Sequence, residues 1–387
     1  MNGTIYMPVG EVCSSISDTY REKKNMVTLI NTSDVLEGRV LNHERVPNSN
    51  LKGQFKKTFQ RDDILYSEIR PQNRRFAYVD FSPIDYIAST KLMVIRAKKD
   101  VVSPKYLYYF LKNSSTVAEL QLLAETRSGT FPQITFSEVA NLTIPVPSLA
   151  VQEVIVQTMQ CLEDKITCNE QINDNLQQQA FSVFDNLIAN AENNDCTVSD
   201  YAFLNPKRTL TKNQVARSID MSQLSTSGAF PSGWEMKPFN GGMRFTNGDT
   251  LLARITPCLE NGKTAFIDFL DDGEVAFGST EYIVLAPKNG TPPEMLYCLA
   301  RYPAFVDYAV KNMNGSSGRQ RVSAETVGQY RLPLFDKHSL VLFKEVVSPM
   351  FLKMRYNSLE NMRLAELRDA LLPKLMSGEI DVSAVQL

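Results

Sequence analysis

Histidine and tryptophan are nearly absent from this sequence. Its 387 residues include two histidines, His43 and His338, and one tryptophan. The six cysteines form no Cys-x-x-Cys pair, so the ligand spacing of a structural zinc site is missing. We therefore expect reduced, unpaired thiols, as in a cytoplasmic protein. We expect no metal site and no cofactor bound by the chain itself.

Long apolar runs are also missing. No stretch of 18 apolar residues occurs, and the N-terminus lacks a basic segment followed by an apolar one. The sequence thus predicts neither a membrane span nor a secretory signal, and a cytoplasmic location follows. A chain of this length predicts more than one domain.

Motifs that bind nucleotides or methylate bases are absent as well. The sequence has neither a Gly-x-Gly-x-x-Gly nor a Gly-x4-Gly-Lys-Ser/Thr loop. Its one Pro-Pro pair, Pro292-Pro293, follows Thr291 and precedes Glu294, whereas adenine methyltransferases need Asp or Asn before the pair and an aromatic residue after it. The nuclease-like Glu-x-Lys pairs at 22–24 and 235–237 lack a preceding Pro-Asp, which favours chance occurrence. The sequence therefore predicts no active site.

Charge is distributed unevenly, although the net charge is −2. Residues 1–147 hold 19 Lys and Arg against 15 Asp and Glu, and residues 196–335 hold 14 against 13. Residues 148–195 hold one against eight. Two neutral-to-basic blocks thus alternate with acidic or neutral segments, a contrast that the overall charge hides.

An internal repeat with a period near 188 residues organises the chain. Residues 61–71 align with 247–257, Ser89-Thr90 with Ser279-Thr280, and residues 104–107 with 293–296. Ser128-Gly129 aligns with Ser317-Gly318. Each copy begins with about 140 residues of short β-rich segments, typical of an α/β domain with a twisted sheet.

Each copy ends in a helix with an apolar seam. Residues 149–190 contain no Pro or Gly, and seam residues recur in 4-3 spacing, which predicts a coiled coil. The seam residues of the two copies are Ile155, Met159, Leu162, Ile166, Asn169, Asn173, Leu176, Ala180, Val183 and Leu187, and Phe343, Val347, Met350, Met354, Asn357, Asn361, Leu364, Arg368, Leu371 and Leu375. Pro349 should kink the second helix or mark its start.

We expect the two helices to pair along their seams, because each must bury its apolar side. The intervening block lets the chain return antiparallel, which would bring Asn169, Asn173, Asn357 and Asn361 into one polar layer and could fix the register. The alternative is that these amides face solvent or another protein. Paired helices of about 60 Å would act as a ruler between two domains and generate a pseudo-two-fold axis.

Specific strings resemble the specificity subunits of type I restriction-modification enzymes. Residues 367–380 read LRDALLPKLMSGEI and are similar to the end of those proteins, and residues 144–152 read IPVPSLAVQ and resemble their central conserved helix start. Asp63-Ile64-Leu65 and residues 248–251 resemble a strand of their target-recognition domains. The resemblance covers the whole chain. Val151 stands where the family usually has Glu, and the second helix start lacks the Gln.

The resemblance implies a fold and a function. The fold is α+β: two similar globular α/β target-recognition domains, 1–147 and 193–335, joined by two long antiparallel helices in the segments 148–192 and 336–387. Each domain would read one half of a split site in double-stranded DNA. The helices would set the spacer and dock two modification subunits, which methylate adenine, and two restriction subunits would join them.

Candidate DNA contacts come from basic and amide residues on equivalent loops, since phosphate contacts need Lys or Arg and base readout needs Arg, Lys, Gln or Asn. Ordinary exposed turns and solvated surface charges are the alternative. The candidates are Lys56, Lys57, Arg70, Arg74, Arg75, Arg127, Ser128, Thr130 and Gln133 in the first copy, and Arg254, Lys263, Ser317, Arg319, Gln320 and Arg321 in the second.

Two other function classes remain open from sequence. One is an enzyme, a fused methyltransferase or nuclease with diverged motifs. The other is a coiled-coil adaptor without DNA specificity, against which the duplicated, diverged globular blocks argue.

Overall fold

The repeat in the sequence is a repeat in the structure. A computed structural model describes residues 4–22, 24–49, 53–126, 132–191, 196–316 and 318–382. The chain divides into two compact units. Unit 1 comprises residues 1–163 and 365–387, and unit 2 comprises residues 164–364. Unit 1 is thus built from two separate stretches of chain, and unit 2 from one.

Unit 1 begins with a run of short strands and short helices. Its strands are β1 Ile5–Pro8, β2 Cys13–Ile16, β3 Met26–Ile30, β4 Val35–Leu36, β5 Arg39–Val40, β6 Val46–Pro47, β7 Phe55–Lys57, β8 Ile64–Ser67, β9 Phe76–Tyr78, β10 Tyr86–Ser89, β11 Leu92–Ala97 and β12 Thr143–Val146. Its helices are α1 Val9–Val12, α2 Pro104–Lys112, α3 Ser114–Thr126 and α4 Phe136–Asn141. Short 3-10 helices lie at Thr32–Asp34 and Pro71–Asn73.

Unit 2 repeats this pattern after the long helix α5, Leu149–Ala189. Its strands are β13 Cys196–Thr197, β14 Ala202–Leu204, β15 Val215–Ile219, β16 Glu235–Pro238, β17 Met243–Phe245, β18 Thr250–Ala253, β19 Thr264–Phe266, β20 Ala276–Gly278, β21 Tyr282–Pro287 and β22 Arg331–Leu332. Its helices are α6 Val198–Tyr201, α7 Pro293–Arg301, α8 Pro303–Lys311 and α9 Ala324–Gly328, with a 3-10 helix at Met221–Gln223. The second long helix, α10, spans Lys337–Ser377.

The sheets of the two units share one topology. The order β2-β11-β8-β9 in unit 1 corresponds to β14-β21-β18-β19 in unit 2, and both sheets are antiparallel. The order β6-β3-β10-β7 corresponds to β16-β15-β20-β17, and in each the two central strands are parallel. The strand pair β1-β12 corresponds to β13-β22. The prediction of two similar α/β blocks is therefore confirmed.

Buried strands and helices supply the core of each unit. Strand β8 is buried at every position, as is its counterpart β18. In the same way, α2 buries six consecutive residues, 106–111, and α7 buries residues 294–300. Each helix therefore lies against a sheet with most of its surface covered, which accounts for the near-continuous apolar runs in these segments.

The long helices contribute to the core of each unit. Both are 41 residues long, and every position of both seams is buried or half-buried. In unit 1, Ile155 and Met159 of α5 share a core with Leu372 and Leu375 of α10. The predicted helix pair is therefore confirmed. The helix α10 begins twelve residues before Pro349, so the prediction that Pro349 marks its start is wrong.

Candidate nucleic-acid interface

Both units fix the candidate loop with the same backbone frame. In unit 1, Ile69 forms an isolated bridge with Gln133, and the amide of Ile134 donates to the carbonyl of Glu68 at 2.9 Å. In unit 2, Ile255 bridges Arg321, and the amide of Val322 donates to the carbonyl of Arg254 at 3.0 Å. Of the predicted contacts, Arg127, Ser128, Thr130 and Ser317 lie outside the described residues.

The arginines that follow β8 surround a short 3-10 helix. Arg70 and Arg74 flank it with left-handed backbone, at φ +46° and +52°. Arg70 is exposed. The Arg74 guanidinium donates to Ser114 Oγ at 2.9 Å, and Arg75 donates to the Ser33 carbonyl at 3.0 Å. Non-glycine residues in this backbone region cluster at binding and catalytic sites. Arg74 and Arg75 tie neighbouring loops together.

The two candidate lysines of unit 1 differ in their surroundings. Lys56 is exposed. Lys57 is half-buried, and its Nζ donates to the carbonyls of Thr90 at 3.1 Å and Leu92 at 2.8 Å. Burial is the main cause that lowers the pKa of Lys57. Lys57 therefore holds the turn between β10 and β11, while Lys56 stays available to a ligand.

The corresponding basic residues of unit 2 are partly covered. Lys263 is half-buried and donates from Nζ to the Met221 carbonyl at 2.7 Å. Arg254 is half-buried, and its backbone amide donates to the Glu281 carbonyl at 3.0 Å. The Nε of Arg254 is buried without a hydrogen-bond partner. Both residues are therefore partly covered by unit 2 itself.

The second candidate loop in unit 2 is closed by a pair of backbone hydrogen bonds. Asn314 and Arg321 each donate to the other's carbonyl at 2.9 Å, and the Arg319 amide donates to the Ser316 carbonyl at 3.0 Å. The Gln320 carbonyl accepts from the Thr256 amide at 3.0 Å. Arg319 is exposed. The loop thus presents the Arg319 side chain to solvent on a fixed backbone.

Glu281 is an important residue of this region that sequence reasoning missed. The Arg321 guanidinium forms a bidentate pair with Glu281, from Nε to Oε2 at 2.9 Å and from Nη2 to Oε1 at 2.7 Å. These hydrogen bonds hold the pKa of Glu281 below its usual range. The alignment of Ser279-Thr280 with Ser89-Thr90 places Glu281 opposite Lys91. The opposite charges at these equivalent positions are the sequence signal that could have singled out Glu281.

The predicted polar layer can be followed within unit 2, which contains all four asparagines. Asn169 is buried, and its amide nitrogen donates to Asn361 Oδ1 at 2.8 Å and to Glu360 Oε2 at 2.7 Å. Glu360 also pairs with Lys165 at 3.3 Å. One end of the layer is therefore an amide pair closed by an ion pair near the surface.

The other end of the layer is a second amide pair. Asn357 is buried and donates from its amide nitrogen to Asn173 Oδ1 at 2.8 Å. Asn173 in turn donates to Ser358 Oγ at 3.2 Å. The residue numbers of the partners on α10 decrease from 361 to 357 as those on α5 increase from 169 to 173. The two helices are therefore antiparallel in this stretch.

Replacing Asn357 by alanine is expected to lower the free energy of unfolding of unit 2 by about 1–3 kcal/mol, because Asn173 Oδ1 loses its partner in a half-buried place. Trp234, the single tryptophan, belongs to unit 2, so its fluorescence during denaturant unfolding follows this unit. The matched control is Asn186→Ala, at an exposed position of α5.

A double replacement sharpens the test. Asn173→Leu with Asn357→Leu is expected to cost less than Asn357→Ala alone, since both amides of this pair are removed and neither is left without the other. An Asn357→Ala chain as stable as Asn186→Ala would contradict a stabilising role for this amide pair.

Among the described residues, no group of three or more His, Cys, Asp or Glu side chains is placed to hold a metal ion. Within the same part of the chain, no helix is both long enough and apolar enough to span a bilayer.

Comparison with known proteins finds similarity to one group. Residues 6–178 match the family model described as type I restriction modification DNA specificity domain. The specificity subunit of the type I restriction enzyme HindI from Haemophilus influenzae is 29% identical, over 92% of this chain and 94% of that protein. The specificity subunit of the MjaIX enzyme from Methanocaldococcus jannaschii is 23% identical, over 78% and 76%.

A solved structure shares the fold. The S subunit of a type I restriction-modification system from M. genitalium aligns with a TM-score of 0.54 at 16% identity. The alignment covers 98% of this chain and 97% of that one. At this identity the likeness concerns the fold alone, and it extends over both units and both long helices.

Proposed function

This chain belongs to the specificity subunits of type I restriction-modification enzymes, and we propose that it reads a split site in double-stranded DNA with two loops that share a frame and differ in side chains. The observation that carries the proposal is the pair of bridges Ile69–Gln133 and Ile255–Arg321. One backbone arrangement presents Gln133 in unit 1 and Arg321 in unit 2. Two half-sites of different sequence need such divergence on a common scaffold.

The proposal assigns the target-recognition domains to residues 1–147 and 193–335. Arg70, Lys56 and Arg319 are its strongest candidates for direct contact, because these side chains are exposed. Four other candidates donate hydrogen bonds to oxygens of the protein and so support the loops that the exposed residues occupy. These are Lys57, Arg74, Arg75 and Lys263. Phosphate contacts from exposed Lys and Arg would supply affinity, and loop side chains would supply base selectivity.

The long helices have two roles in this proposal. The segments 148–192 and 336–387 hold the spacer between half-sites at a fixed length, and the layer of Asn169, Asn173, Asn357 and Asn361 fixes their register. Buried amides are suited to this, because a slip along the seam leaves them unpaired. The helices also dock the partner subunits.

Catalysis belongs to the partners in this proposal. Two modification subunits methylate adenine, and two restriction subunits join them for cleavage. The chain itself binds no cofactor and acts in the cytoplasm. The absence from the sequence of the Pro-Pro loop and of both nucleotide-binding loops supports this division of labour.

Methylome sequencing tests the proposal. A host lacking related methylation would express the chain with its modification subunit, and each protein alone would serve as control. We expect one split motif carrying methyladenine, two short half-sites with a spacer of constant length, and only when both proteins are present. Methylation without sequence preference would favour the adaptor reading. Methyl transfer by the purified chain alone would favour the enzyme reading.

A further inference from the structure

Three equivalent positions around the loop frame carry different charges in the two units. In unit 2 they are Arg254, Glu281 and Arg321. In unit 1 the counterparts are Glu68, Lys91 and Gln133, since Glu68 aligns with Arg254 and Lys91 with Glu281. The backbone at these positions is the same: the amide of Glu68 donates to the Lys91 carbonyl at 3.0 Å, as that of Arg254 does to Glu281 at 3.0 Å.

Within each unit, the side chains at these positions form a different ion pair. In unit 1, Lys91 pairs with Glu68 at 3.6 Å, between the ends of β8 and β10, and these interactions do not include Gln133. In unit 2 the acid and base exchange places, and Glu281 pairs across to Arg321 on the loop. The charge of Arg321 on the second loop is therefore attached to the sheet through Glu281.

The Arg321–Glu281 pair has the geometry of a rigid clamp. Both carboxylate oxygens accept from the guanidinium, and a further nitrogen of Arg321 donates to the Arg319 carbonyl at 3.1 Å. Glu281 is anchored in turn by its own amide, which donates to Ser279 Oγ at 3.1 Å. Forked Arg–carboxylate pairs fix orientation as well as distance. Only a quarter of the Glu281 side chain is exposed, so solvent screens the pair less than an open surface pair.

We propose that Glu281 is a positioning residue that sets the half-site selectivity of unit 2 by clamping Arg321, so that Arg319 and Gln320 meet the DNA in one geometry. This inference rests on the proposed function and specifies how one loop achieves it. Arg321 then acts through the loop backbone rather than through a phosphate contact, because three of its five N–H groups already donate to Glu281 and to the Arg319 carbonyl. The Arg254 guanidinium contributes a positive charge beside Glu281.

The test is Glu281→Gln in the full chain with its modification subunit. The neutral amide accepts at one oxygen only, so the fork is lost while the side-chain size is kept. Discrimination against single-base changes in the half-site read by unit 2 is expected to fall about tenfold, which corresponds to roughly 1.4 kcal/mol. Discrimination in the other half-site should not change. The measurement is the rate of methylation of duplexes altered one base at a time in each half-site.

Two controls separate positioning from general destabilisation. Glu274 also binds an arginine of unit 2, Arg217, at 3.0 Å, and is buried to a similar extent, so Glu274→Gln should leave selectivity in both half-sites unchanged. The exchange Glu281→Arg with Arg321→Glu rebuilds the pair in reverse and should recover at least part of the selectivity.

The salt dependence of DNA binding distinguishes a clamp from a phosphate contact. For Arg321→Gln, a clamp predicts an unchanged slope of log affinity against log salt, whereas loss of a phosphate contact lowers the slope by about one. Three outcomes would overturn the inference: unchanged selectivity in Glu281→Gln, equal loss in both half-sites, or a lowered salt slope in Arg321→Gln. If the unaltered chain yields no split motif, the proposed function itself fails. The unaltered chain is therefore measured before any variant.

Discussion

Replacing Phe351 by alanine is expected to lower the free energy of unfolding of unit 2 by about 3–5 kcal/mol. The Phe351 ring is 1% exposed, and it meets Phe266 of β19 and Tyr297 of α7 edge to face, with centroids 5.2 Å and 5.5 Å apart. Alanine would leave a cavity where α10 joins the globular part of unit 2. Both the lost burial and the lost aromatic contacts contribute.

Denaturant unfolding followed by Trp234 fluorescence measures this change in the unit where it occurs. Leu352→Ala is the matched control, because Leu352 is the next residue of the same helix and is 42% exposed. That variant is expected to stay within about 1 kcal/mol of the unaltered chain. If the two variants unfolded at the same denaturant concentration, the ring of Phe351 would not hold α10 to the core of unit 2.

Glu163→Gln is expected to destabilise unit 1 by about 3 kcal/mol, at the lower end for a broken buried ion pair. Glu163 accepts from Tyr109 at 2.8 Å and pairs with Lys112. The Lys112 side chain is 11% exposed, and its Nζ lies 5.0 Å and 4.8 Å from the centroids of the Tyr108 and Tyr109 rings. The rings retain part of the attraction, but the buried ammonium loses its counter-charge.

The measurement is hydrogen exchange of the α2 amides, since the tryptophan of the chain reports on unit 2. Adding Lys112→Met to Glu163→Gln should restore much of the protection, because the unpaired buried charge is then gone. Protection that falls further in the double variant would contradict this account.

The pH dependence of the Glu163→Gln variant has a definite sign. Burial lowers the pKa of Lys112, and Glu163 opposes that change, so the pKa of Lys112 in the folded variant drops further below that in the unfolded chain. The unfolded chain then binds more protons, and stability rises with pH across the window between the two values. The deficit of the variant should therefore shrink as the pH is raised above neutrality.

Phe351 and Glu163 occupy equivalent places, 188 residues apart. The repeat places both residues at the same position of their long helices, directly after the seam residues Leu162 and Met350. The repeat and the seam spacing do not predict that one contact is aromatic and the other a buried ion pair. The partners, Tyr297 on α7 and Lys112 on α2, become neighbours only through the tertiary fold.

The architecture follows from the sequence more completely than the site does. The 188-residue offset and the 4-3 seam predict two α/β blocks and a helix pair because these patterns are periodic and local. The loop contacts are not periodic. Lys57 and Lys263 bind carbonyls 33 to 42 residues away, and nothing in a one-dimensional pattern separates them from exposed Lys56. The assignment of individual DNA contacts therefore stays a prediction.

The division of the chain has a consequence for how the protein is made. Leu372, Leu375, Met376 and Val382 belong to the same core as Val9, although the whole of unit 2 lies between them in sequence. A ribosome delivers the continuous stretch 164–364 before it delivers these residues. The core of unit 2 therefore needs no residue beyond 364. The core of unit 1 stays incomplete, with apolar surface uncovered and prone to aggregate, until the last segment of the chain has been made. During synthesis the second unit therefore has all of its residues before the first one does.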